Sequence, residues 1–185
     1  MILLKNFLIT IVLISLTSCY NKNEDTIDEL YKRTVDIPYS KLVQIAAYID
    51  RYPEARKLFQ DILDKDWILS YKPNAMVTHS MYENFAMSFI IYFDPSVGAV
   101  MGEGDGMGVA SPTDALLHEM LHVRELTPDV LMRKKRSYPN KHELAVISLE
   151  RKLYRSMDAE DGRKRPQRYT HAGKKFRASC VTCNY

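Results

Sequence analysis

Residues 111–126 read SPTDALLHEMLHVREL, an order that specifies a helix from its first turn. Ser111 can cap the first N–H groups, Pro112 suits the first helical position, and Asp114 favours the positive end of the helix dipole. Thr127-Pro128 ends the run near Leu126. Inside it stand His118-Glu119-Met120-Leu121-His122, ringed by Leu116, Leu117, Val123 and Leu126, so the helix is expected to be buried nearly all round. Two imidazoles and a carboxylate in such a helix cost several kcal/mol unless they are partnered. Histidines four apart lie about 40° apart around a helix, so both rings can meet one metal ion. Glu119 lies about 100° from His118, close enough to reach water on that metal without having to ligate it. The pattern predicts a Zn2+ hydrolase: His118 and His122 as ligands, and Glu119 as the base that takes the proton of an activated water.

Catalytic zinc usually has three protein ligands. A second helix, expected from Lys141 to about Ser156 with Asn140 as its cap, supplies candidates. Glu143 follows His122 with 20 residues between them and is the expected third ligand; Glu150, two turns on, and His142 are rivals. Asp114 and Glu125 are candidates to orient the two imidazoles. The metzincin continuation is absent, because position 125 is Glu and position 128 is Pro. Tyr169 and His171, in the basic tail, are candidates to stabilise an oxyanion.

Around these helices the signals are mixed, which predicts an α+β fold. Lys41–Tyr48 and Pro53–Leu63 carry helical periodicity. Trp67–Tyr71 reads as a short strand, and Ala86–Phe93 (AMSFIIYF) as a strongly apolar one closed by Asp94-Pro95. The segment GAVMGEGDGMG holds five of the seven glycines and reads as a loop beside the site. It is not a phosphate loop, since it lacks the Gly-Lys-Ser/Thr ending.

The amino terminus carries a different message. Residues 1–18 (MILLKNFLITIVLISLTS) place Lys5 before a short apolar run that ends in small residues and Cys19. That is the form of a lipoprotein signal peptide, with Cys19 as the lipidated residue and Tyr20 favouring the outer membrane of the cell envelope. Residues 19–36 are expected to be a polar tether and 37–185 the folded domain. Of the three cysteines, Cys180 and Cys183 are then left to form a disulfide in an oxidising compartment. Net charge is only +3, but residues 19–130 hold 10 Lys and Arg against 18 Asp and Glu, whereas residues 131–185 hold 15 against 5. The basic clusters Arg133–Arg136, Arg163–Arg165 and Lys174-Lys175 read as a solvated surface, with an anionic envelope component as a candidate partner. No RNP, helix-turn-helix or finger pattern points to nucleic acid.

FIIYFDP, the glycine segment, SPTDALLHEMLH, NKHELAVISLERKLYR and RYTH resemble the NleD-type effector zinc metallopeptidases over roughly residues 86–171. The resemblance implies a compact zincin-like single domain with an HExxH helix, a small sheet and a second ligand-bearing helix. It also implies peptide-bond hydrolysis with His118, His122 and Glu143 on zinc. Those effectors lack a signal peptide, so a cell-envelope, membrane-anchored peptidase acting on a peptide or protein is expected here. A peptidoglycan peptide hydrolase and a non-catalytic envelope lipoprotein are the alternatives.

Overall fold

The computed structural model describes residues 26–102, 107–131, 140–168 and 174–183. Residues 1–18, Cys19, Arg133–Arg136, Tyr169 and His171 therefore lie outside the described residues. Among the described residues no helix is long and apolar enough to cross a membrane.

The chain forms a mixed α+β domain. A helical stretch over 26–32 (α1) leads into β1 (Thr34–Val35), followed by α2 (Tyr39–Arg51), α3 (Pro53–Gln60), β2 (Asp66–Tyr71), β3 (Met76–Glu83), β4 (Ala86–Phe93), β5 (Val97–Met101) and β6 (Gly108–Ala110). Then come α4 (Pro112–Glu125), a helical turn over 128–131 (α5), α6 (Asn140–Asp161) and β7 (Lys174–Arg177).

Two sheets result. The larger has the order β1-β2-β4-β3, with β1, β2 and β4 parallel and β3 antiparallel at the edge; the smaller has the order β6-β5-β7, both pairings antiparallel. Alternation puts Trp67 and Leu69 of β2, and Phe89, Ile91 and Phe93 of β4, into one core with Leu42, Ile45 and Ile49 of α2, Leu58 and Phe59 of α3, and Leu116, Leu117 and Met120 of α4. Trp67 meets Phe59 edge to face at 6.1 Å between centroids, and its indole N–H donates to Ile62 O at 2.9 Å.

Three expectations need correction. The folded part begins well before residue 37: Leu30 is fully buried, β1 pairs with β2, and Arg33 donates to the carbonyls of Leu63 and Lys65 while stacking over Trp67. One apolar residue per helical turn, within a polar stretch, hid that packing. The glycine segment is largely a β-hairpin, since β5 and β6 flank residues 103–106. Gly98 belongs to β5, where a Cβ would come within 2.4 Å of Ala110 O, so glycine serves close strand approach there. The basic cluster Arg163–Arg165 is not all solvated, because Arg165 is buried. Its guanidinium reaches Asp158 at 2.7 Å, Asp161 at 2.9 Å, Asp114 at 3.5 Å and the Tyr48 hydroxyl at 3.2 Å, tying α2, α4 and α6 together.

The carboxyl-terminal segment closes the fold. β7 lies against β5, and Cys180 is bonded to Cys183. The turn between them buries Val181, whose carbonyl accepts from the backbone N–H of Thr113 at 2.9 Å and from its hydroxyl at 2.8 Å. An N–H at the start of α4, which the helix itself leaves unpaired, is satisfied this way.

Candidate metal centre

α4 is held from its first turn. Ser111 and Asp114 form a reciprocal capping box, with Asp114 N–H donating to Ser111 Oγ at 3.0 Å. Tyr48 donates to Asp114 Oδ1 at 2.6 Å, and Tyr154 of α6 donates to the Asp114 carbonyl at 3.1 Å. Asp114 is therefore committed to the cap and to Arg165, and does not orient an imidazole; a face argument on the helix could not foresee that use. Glu125 likewise turns away, pairing with Arg124 at 2.8 Å.

One turn of α4 and the first turn of α6 meet at His118, His122 and Glu143, all buried. His118 Nε2 and His122 Nε2 are 3.1 Å apart. Glu143 places Oε1 at 3.4 Å from the first nitrogen and Oε2 at 3.3 Å from the second. Donor atoms sharing one ion at bonds of about 2.0–2.1 Å stand roughly 3.3–3.4 Å apart, and one atom from each of the three residues lies within 4.8 Å of the others. The three donors fit a metal ion in spacing and chemistry, and the group could hold one.

The far nitrogens of both rings are also placed. His118 Nδ1 lies 3.2 Å from Glu150 Oε1, and Glu150 Oε2 lies 3.6 Å from Arg168 Nε. His122 Nδ1 lies 3.1 Å from His142 Nε2. A metal held by both Nε2 atoms would leave the proton of each ring on Nδ1, facing Glu150 and His142. So the two rivals for third ligand sit on the outer side of the histidines, and Glu143 sits on the inner side. Burial works against a charged His118, but the Glu143 and Glu150 carboxylates outweigh it and hold the ring up to about 9.

Glu119, the neighbour of His118, is 4% exposed. The hydroxyl of Thr78, on β3, donates to its Oε2 at 2.8 Å. Sequence reasoning missed Thr78 because β3 was not expected as a strand. It missed Arg168 because a basic tail carries no sign of which cation turns inward.

Comparison with protein-family models finds no match, and a search of curated proteins finds none either. The fold and the donor set therefore define the class that can be stated: a mixed α+β domain with a buried two-histidine, one-glutamate group that could hold a metal ion.

Proposed function

We propose that this chain is a zinc-dependent metallopeptidase of zincin-like build, anchored in the cell envelope through lipid on Cys19. The observation that carries the reading is the convergence of His118 Nε2, His122 Nε2 and a Glu143 carboxylate oxygen within 4.8 Å of one another. Two imidazoles and one carboxylate, with a carboxylic base adjacent, are the donor set of catalytic rather than structural zinc, which favours four closed ligands.

Zinc held there would supply a Lewis acid and lower the pKa of water in the site. The chain's own residues do the rest. Glu150 and His142 fix the ring orientations of His118 and His122. Glu119 accepts a proton from the attacking water and returns it to the leaving amine. β3 lies at the edge of its sheet and touches α4 at Thr78, so an extended peptide added along that edge would run past the ligand group. The motif likeness to NleD-type peptidases supports a peptide as substrate, and a peptide or protein of the envelope is the proposed target.

The test uses the purified chain. Metal analysis is expected to give one zinc per chain, and Glu119→Gln to keep the metal while cleavage of a mixed peptide library drops at least about 100-fold. Absence of stoichiometric metal, or unchanged cleavage in the Gln variant, overturns the proposal.

A further inference from the structure

The hydrogen bond between β3 and the base has a role of its own. Thr78 pairs with Ile91 across the ladder, and Ile91 is fully buried, so the Thr78 side chain lies on the face that packs on α4. Its hydroxyl comes within 2.8 Å of Glu119 Oε2 and 3.2 Å of the Glu119 carbonyl. A hydroxyl has one proton to give. The shorter contact goes to the carboxylate, where charge strengthens the bond. Among the described residues, no other hydrogen-bond donor to that carboxylate is found. A nearly buried carboxylate on three rotatable bonds thus has its position set from a neighbouring element. The donor is β-branched, with a side-chain torsion stiffened by the strand itself.

We propose that Thr78 is the positioning residue of the general base, holding one oxygen of Glu119 so that the other is free to take the proton of the attacking water. The inference rests on the peptidase reading and adds to it a link between substrate and base. The strand that would receive the peptide is also the one that aims Glu119.

The experiment compares Thr78→Val, which keeps the shape and loses the donor, with Thr78→Ser, which keeps the donor. The full chain is loaded with Co2+, and acetohydroxamate is titrated in while the visible cobalt bands are followed. This probe binds a metal and passes its proton to an adjacent carboxylate, so it reads the placement of Glu119 without turnover. Thr78→Val is expected to weaken acetohydroxamate binding about tenfold, with cobalt affinity within about twofold of wild type. Thr78→Ser is expected to restore it. On library peptides, Thr78→Val should lower kcat about tenfold and leave KM within about twofold. Wild-type acetohydroxamate affinity in Thr78→Val, failure of Ser to rescue, or loss of cobalt in step with the hydroxamate overturns the positioning role. If the wild-type chain takes up no cobalt, the metal-site reading fails, and this inference with it. If cobalt and hydroxamate bind but no peptide is cut, the peptidase reading fails while the link from Thr78 to Glu119 is still decided by the titration.

Discussion

Replacing Arg165 by Met tests whether the buried charge network holds the helices of the site together. The Arg165 side chain is fully buried, as is that of Asp114, and that of Asp161 is 1% exposed; Asp158 is 20% exposed. Methionine keeps most of the volume and removes the cation. Asp158 can then hydrate, so its loss is small. Asp161 retains the Tyr52 hydroxyl at 2.7 Å and the Arg163 N–H at 3.0 Å, and Asp114 retains Tyr48 and Ser111. Breaking one side of a buried pair costs about 3–5 kcal/mol, and these remaining donors put the expected loss near the lower end, about 3 kcal/mol. That is a large share of the roughly 5–15 kcal/mol that holds a domain folded.

The loss should also depend on pH. Burial pushes the Asp161 carboxyl up, but the bonds from Arg165 and Tyr52 outweigh it and hold it well below the usual carboxylate range. A folded-state value below the unfolded one gives stability that is complete above the unfolded value of about 3.9 and is lost as pH falls toward the folded one. Urea unfolding of wild type and variant, with a chelator present to exclude metal effects, should therefore show the full gap at pH 7 and a narrower one at pH 3. A gap under about 1 kcal/mol, or one that is the same at both pH values, refutes the reasoning.

Other outcomes follow from the same geometry. Glu150→Gln should lower metal affinity about 10–100-fold by unseating the His118 tautomer, measured by chelator competition. Glu143→Ala should lower it further, since a ligand is lost outright; retained metal would point to Glu150 or His142 instead. Because His118 binds its proton up to about 9, metal must displace that proton, so apparent affinity should rise with pH toward 9 and binding should release protons, measured by calorimetry in two buffers of different ionisation enthalpy. Gly98→Ala should destabilise the domain by about 1–3 kcal/mol in urea unfolding, because its methyl group meets the Ala110 carbonyl.

What the sequence disclosed was local. The start of α4 is written in Ser111, Pro112 and Asp114, and β4 in a run that is apolar but for Ser88, so neither needed knowledge of distant contacts. β3 was hidden because its residues alternate Met, Thr, Ser and Tyr with Val, His, Met and Glu, a composition that only pairing with β4 makes a strand. The candidates for a third ligand were three residues of one helix. Glu143, Glu150 and His142 all approach the histidines, and only the rotation of α6 against α4 sorts inner from outer. Charge was the least legible feature: Arg165 and Arg168 look like their exposed neighbours Arg163 and Lys164 until the aspartates and Glu150 are seen in space.

The contact between Val181 and Thr113 spans 68 residues, and it completes the first turn of the helix that bears both histidines. That gives the site a place in time. During synthesis the HExxH helix is made long before the partner that fastens its end, and Glu143 and Glu150 also come later in the chain. Until residues 174–183 have emerged and settled, the helix lacks its final hold. Under the proposed activity, a nascent chain passes most of its synthesis without a finished blade with which to cut itself or its neighbours.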